Sequence, residues 1–392
     1  MKVLFVCPFV PWPLVNGGKI RTFNLIKSAS KHVEIHLRIL HEPDEAPDTR
    51  AALEPWCASL RFFERSKPSF RQRLLNPKIE RWFHSESLIQ DVRRDLESGE
   101  FSLLHIDELL LARVVKPGTK TPVVQHHHKL DTVLYDTLHL GSNPMQKFDL
   151  WKLRRLERES TRRYRHHLLC SEGDAALLAG RYGALDTGAV PSGFAPEDFH
   201  PSDPPPARDP TRLLFLGSMD YGPNVDGTAW FVREILPLIH AERPDVVLDI
   251  VGANPQAAVQ ALAGPGVKIH GRVPLVPPYL EGSAAMLVPL RIGGGTRLKI
   301  VEALAMNTPV VSTTIGAEGL GLVHGEHLQL ADDAASFARA TLDLLANPET
   351  AAELGRRGGT YIKEHYNWDV LADVLVDYWE RIAFSGKSSA SR

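Results

Sequence analysis

A chain of 392 residues, 43% hydrophobic and 23% charged, is too long for one ordinary core and fits two domains of ordinary size. Its formal net charge of −2 provides no general field to attract nucleic acid, so nucleic acid is not an expected partner. The apolar start is broken by Pro8, Pro11 and Pro13 before it could form a signal-peptide core or a span, and no later stretch is long enough to cross a bilayer. Cys7, Cys57 and Cys170 lie far apart without metal-ligand spacing, as expected of reduced thiols in a cytoplasmic protein.

Residues 3–7 form a short apolar run, the pattern of a central parallel strand, and a Pro-rich loop leads to Asn16, Gly17 and Gly18 before a helix over 19–29. Strand, glycine pair and helix in this order allow close approach of a ligand, or simply a tight turn needing positive φ. Strands are expected at 33–40 and 60–63. Residues 61–94 mix aromatics with cations, among them Phe62, Phe63, Lys67, Phe70, Arg71, Arg73, Lys78, Arg81, Trp82 and Phe83. A second basic run, 151–165, reads as a helix; both stretches suit anionic lipid or an acidic acceptor, and Glu157 and Glu159 make a solvated face an equal reading of the second. Strands at 103–106 and 122–125 follow, the second delivering His126, His127 and His128 to a strand end, where open parallel sheets bind ligands. Neighbouring strand residues point to opposite sides, so these three histidines cannot share one metal.

A strand at 168–171 and a helix from Asp174 complete this half, and the Pro- and Asp-rich segment 201–211 reads as a linker. Beyond it the alternation restarts, with strands at 213–216, 247–251, 267–270 and 285–290 and a helix over 224–240. Helices are expected at 334–345, 349–364 and 368–382, and the polar tail 385–392 is expected to be disordered. The most informative stretch is 288–313. A strand ends near Leu290, Gly293, Gly294, Gly295 and Thr296 form a loop, residues 298–306 a helix, and 309–313 the next strand. A glycine loop before a helix N-terminus is a phosphate site, because free amides and the positive end of the dipole point at the ligand. Arg297 and Lys299 add charge. Glu302 would repel phosphate but suits a diol, whose two hydroxyls can donate to it, so a nucleoside diphosphate with its ribose is implied.

The order of Gly17–Gly18, a histidine after the Pro122 strand, the run Gly217, Ser218, Met219, Asp220, Tyr221, Gly222, Pro223, Asn224, then Gly271-Arg272-Val273 and 293–309, resembles the family-4 nucleotide-sugar glycosyltransferases of GT-B fold. The likeness covers nearly the whole chain and is most specific over 294–303 with Pro309-Val310-Val311; it points to a bacterial branch of exopolysaccharide and cell-surface sugar assembly. The resemblance implies an α/β protein of two Rossmann-like domains facing across a cleft: 1–200 on the acceptor side, 212–367 on the donor side, and 368–384 crossing back to the first domain. It implies that Glu302 holds the ribose, the amides of Arg297, Leu298 and Lys299 the phosphates with Gly294, Gly295 and Thr296, and the backbone around Arg272 the base. Gly17 and Gly18 would close on the diphosphate, with Gly217, Ser218 and Asn224 also on the donor. The matching histidine is His128, with His126 as second choice.

Two departures bear on this assignment. Many relatives carry an acid eight positions before Glu302, where this chain has Gly294, and an Arg and a Lys where it has Ser218 and Asn224. Arg297 is a candidate to supply the missing charge. The implied reaction is transfer of a sugar from a nucleoside diphosphate, UDP or GDP, to a hydroxyl acceptor with retention. His128, Arg297 and Lys299 are its catalytic candidates; no metal or resident cofactor is expected, and peripheral contact with the inner membrane face is a further expectation. The competing readings are a nucleotide-sugar-binding protein with a degenerate fold and a nucleotide-sugar epimerase.

Overall fold

The computed structural model of the chain describes residues 1–42, 48–78, 80–115, 118–137, 143–183, 185–293 and 297–385. They fall into two units, Met1–Pro191 together with the chain from Trp368 onward, and Ser192–Asn367. Each is built on a wholly parallel sheet. In the first unit the strands are β1 (Lys2–Cys7), β2 (Glu34–His41), β3 (Ser59–Glu64), β4 (Leu103–Asp107), β5 (Val123–His126), β6 (His166–Leu169) and β7 (Asp186–Ala189), in the order β3-β2-β1-β4-β5-β6-β7. In the second they are β8 (Asp209–Leu216), β9 (Val247–Val251), β10 (Val267–Gly271), β11 (Ser283–Val288), β12 (Val310–Ser312) and β13 (Gln329–Leu330), in the order β10-β9-β8-β11-β12-β13.

Continuous apolar runs become central strands because both faces of each sheet are covered. Leu213 and Phe215 of β8 enter one apolar cluster with Ala285 and Leu287 of β11, while Leu214 and Leu216 enter another with Met286 and Val288. Strand order reverses between β1 and β4 in one sheet and between β8 and β11 in the other, and such switch points open a crevice at the carboxyl ends of the strands.

The Pro-rich 201–211 segment is not the place where the units divide. The division falls at Pro191/Ser192, and β8 begins within that segment at Asp209. Packing explains the difference. The Phe194 amide donates to the Tyr366 carbonyl at 2.9 Å, and Arg208 donates to the carbonyls of Leu280 (2.6 Å), Ser283 (2.9 Å) and Asn307 (3.1 Å). This ties the segment to the second unit. The last helix, Trp368–Ser385, packs within the first unit, where Trp379 is fully buried and Tyr378 Oη donates to the Asp186 carbonyl at 2.9 Å. Residues 386–392, the greater part of the expected disordered tail, lie outside the described residues.

Candidate functional site

In the second unit the chain leaves β8 through Gly217, at φ +155, where a Cβ would lie 2.5 Å from Asn224 Nδ2 and 2.9 Å from Lys299 Nζ. Only glycine permits this approach. Asn224, in the helix Gly222–Trp230, donates to the Ser218 carbonyl at 2.8 Å and accepts from Lys299 Nζ at 2.7 Å. The same ammonium lies 4.5 Å from the Phe215 ring centroid, a cation–π distance. Ser218 Oγ is turned away, donating to Asp220 Oδ1 at 2.6 Å, and Arg272 is exposed beyond the end of edge strand β10.

Lys299 and Glu302 belong to the helix Leu298–Ala305, which follows β11 across the glycine loop. Gly294, Gly295 and Thr296 lie outside the described residues. The first-turn amides of a helix have no intrahelical acceptor, so Leu298 and Lys299 place donors at this end. Burial lowers the Lys299 pKa to about 7, with the Arg297 charge adding to the shift and Glu302 opposing it. Burial likewise raises Glu302 to about 8, with Lys299 opposing. Both residues keep part of their surface accessible, and the Glu302 carboxylate is held by no hydrogen bond from the described residues. A diphosphate would draw a proton onto Lys299, while two diol hydroxyls would favour the Glu302 carboxylate.

Arg297 lies against the glycine loop, its Nη1 3.0 Å from where a Cβ of Gly293 would sit. It is buried, with Nε and Nη2 donating to the Ile315 carbonyl at 3.2 and 3.0 Å, and its Nη2 is 4.0 Å from Glu318. The cation brought beside Asn224 is therefore Lys299 rather than Arg297.

In the first unit, Gly17 and Gly18 open the helix Gly17–Ala29, capped by Asn16 Oδ1 accepting from the Lys19 amide at 3.0 Å. Neither glycine has positive φ, so the tight-turn reading falls. A Cβ at Gly18 would lie 3.6 Å from His128 Nδ1, which brings two of the sequence candidates together. His128 Nε2 donates to Asp107 Oδ1 at 2.8 Å. His127 points the other way and pairs with His167 (Nε2 to Nδ1, 3.0 Å), as strand alternation requires.

His126 is enclosed, whereas the His128 side chain keeps 9% of its surface. Arg21 Nη2 donates to His126 Nε2 at 2.8 Å, and Trp379 Nε1 donates to His105 Nδ1 at 3.1 Å. Asp107, His105 and His126 lie close enough to suggest a metal triad. The His126 tautomer argues against it: Arg21 only donates, so His126 accepts at Nε2 and carries its proton on Nδ1, facing His105 Nε2 at 3.2 Å and Asp107 Oδ1 at 3.3 Å, which leaves it no lone pair for a metal. The cluster is a hydrogen-bonded buttress behind Asp107. Asp107 and Glu108 are missed by sequence reasoning, although they follow the 103–106 run at a strand end and the argument used for the histidines applies to them equally.

Residues 210–347 match the family described as "Glycosyl transferases group 1". The matched stretch lies within the second unit. A phosphatidyl-myo-inositol mannosyltransferase of Mycobacterium leprae is 32% identical over 186 residues, 44% of this chain and 47% of that protein. The chain spans about half the length of the curated relatives it matches. Among solved structures, sucrose-phosphate synthase from Thermosynechococcus elongatus aligns with TM-score 0.70 and 18% identity over 98% of this chain and 100% of that one. Anabaena HepE in complex with UDP and glucose aligns with TM-score 0.67 and 14% identity over 96% and 98%. The fold is therefore GT-B, and the matched stretch holds Gly217, Asn224, Arg272, Lys299 and Glu302. No helix among the described residues is long and apolar enough to cross a membrane.

Proposed function

We propose that the chain transfers a sugar from a nucleoside diphosphate, UDP or GDP, to a hydroxyl acceptor, with retention and without a metal. The observation that carries this reading is the meeting of Lys299 Nζ and Asn224 beside Gly217 at the β8 end, with Glu302 following Lys299 on the same helix. The departing diphosphate develops charge as the glycosidic bond breaks, and stabilising that charge is the main catalytic task. Lys299 and the amides of Leu298 and Lys299 serve it, and Glu302 takes the ribose hydroxyls. A phosphate oxygen of the leaving group accepts the acceptor's proton. Thermal-shift titration with UDP, GDP, dTDP and their sugars tests the reading, because a ligand of the folded form raises its melting temperature. At least one nucleotide is expected to stabilise the protein and, with an acceptor extract, to be released as free diphosphate. A donor that binds but releases no diphosphate would favour the binding-protein reading, and a donor altered without acceptor would favour an epimerase.

The acceptor side fits peripheral attachment to the inner face of a membrane. Phe70, Leu74 and Leu75 on one short helix, and Met145, Phe148 and Trp151 on the helix Pro144–Arg163, are exposed large apolar residues. The Lys78 amide donates to Asp149 Oδ1 at 2.8 Å and links the two regions. Exposed Lys67, Arg73, Lys78, Lys147 and Arg155 supply charge for anionic headgroups. Sedimentation with vesicles is expected to carry the protein down when they contain about a third phosphatidylglycerol and not when they are pure phosphatidylcholine. Equal recovery with both would remove the attachment.

A further inference from the structure

Each ring nitrogen of His128 faces an acid: Nε2 is 2.8 Å from Asp107 Oδ1, and Nδ1 is 3.2 Å from Glu108 Oε1. Both acids come from the end of β4, by different routes. Asp107 is the last residue of the strand, and its other oxygen accepts from Thr22 Oγ1 at 2.8 Å. Glu108 has φ 71 and ψ 142. A residue with a Cβ rarely adopts that region, and such strain persists only where its surroundings impose it. Here Gln125 of β5 donates from Nε2 to the Glu108 carbonyl at 2.8 Å and holds the turn in place. Successive residues of an extended strand point to opposite faces, so the turn is what lets two adjacent acids reach one ring.

We propose that Glu108 is a positioning residue of this site: it and Asp107 bracket the His128 ring, one carboxylate at each nitrogen, and hold it doubly protonated beside Gly18. The surrounding groups agree. Burial pulls the His128 pKa down, but Asp107 and then Glu108 outweigh it and raise the pKa above the ordinary histidine value, against opposition from Arg21. His126, 5.2 Å away between ring centroids, and His105 are held neutral by burial. Asp131 is occupied by Lys129 at 3.4 Å, and Phe9 meets the ring edge-on at 6.2 Å. A ring that already carries both protons cannot take one from an acceptor. It supplies positive charge instead, which leaves the acceptor's proton to the departing phosphate.

The test is an NMR titration of the histidine side chains in the ligand-free full chain, with Glu108→Gln and Glu108→Gly beside the parent. In the parent, His128 is expected to titrate above the ordinary histidine range. Both variants are expected to lower its proton affinity about tenfold, the usual effect of losing one close opposite charge. Glu108→Gly should at the same time melt at a higher temperature than Glu108→Gln, because both lose the carboxylate and only glycine relieves the backbone strain, which separates the bracket from a loss of fold. A His128 titration unmoved by either variant overturns the proposal. The kinetic arm rests on the glycosyltransferase reading: Glu108→Gln is expected to lower kcat about tenfold with the KM for donor unchanged. A shifted titration in a protein that transfers no sugar supports the bracket and defeats the reaction assigned to it, so the two failures are distinguishable.

Discussion

Glu302→Ala is expected to weaken binding of the nucleoside-diphosphate donor by about two orders of magnitude and to leave the fold intact. Two hydroxyls donating to one carboxylate form charge-assisted bonds worth about 1.5–3 kcal/mol each, and losing both costs at least a hundredfold even after partial compensation by water. Stability should hold, because the Glu302 carboxylate takes no hydrogen bond from the described residues and burial already pushes its pKa to about 8. The companion change Lys299→Met removes the ammonium beside Asn224 and should act mainly on turnover, lowering kcat about a hundredfold, the usual effect of losing one charge stabiliser in a transition state. Calorimetric titration of the nucleotide and single-turnover kinetics separate the two. Unchanged nucleotide affinity in Glu302→Ala would place the ribose elsewhere. Unchanged kcat in Lys299→Met, with Arg297→Met reduced instead, would return the leaving-group role to Arg297.

That last contrast shows how far sequence reading reaches into the site. A strand, a glycine loop and a helix opening with Arg297 and Lys299 are legible from residue types alone, and so is a carboxylate one turn on. Which cation approaches Asn224 is not, because the answer depends on the Ile315 carbonyl, from a segment beyond β12 that captures Arg297. Glu108 is hidden for a similar reason. A strand end can be read from an apolar run, but φ 71 at a glutamate is imposed by Gln125 on the neighbouring strand and leaves no local mark.

The same division runs through the fold. β8 and β11 are visible because both faces are apolar, whereas β7, Asp186–Ala189, and β13, Gln329–Leu330, are short and take their pairing from neighbours. Residues 61–94 look like a basic aromatic surface. They also run into the helix Glu86–Ser98, whose Asp91 and Asp95 neutralise Arg38, a buried cation in β2, at 2.9 and 2.6 Å. Acids in and just past this stretch thus belong to an internal ion pair whose partner is remote in sequence.

The buried histidines of the first unit predict a steep loss of stability in mild acid. Burial holds His105 down to about 3 and His167 to about 4, and it lowers His126 and His127 well below the ordinary value. All four are neutral when folded and free to protonate near pH 6.5 when unfolded. The unfolded chain therefore binds the extra protons as pH falls below 6.5, and stability drops. Between pH 6.5 and 5.5 each histidine costs about 1 kcal/mol. Glu80, raised to about 7 chiefly by burial, works in the opposite direction over the same interval and offsets roughly one of them, leaving a net loss of about 3 kcal/mol. His128 offers no relief: its pKa is raised, so the stability it adds is already complete below the unfolded value and is lost only as pH rises through the folded one. Set against a usual total of about 5–15 kcal/mol, a loss of this size is a large share of the stability. Urea unfolding at pH 7.5, 6.5 and 5.5 measures the slope, and the pair of changes His127→Phe and His167→Phe should cut it by about half or more, whatever they do to stability at pH 7.5. A flat profile would mean that these histidines titrate freely in the folded protein and are not sealed behind Asp107 and the last helix.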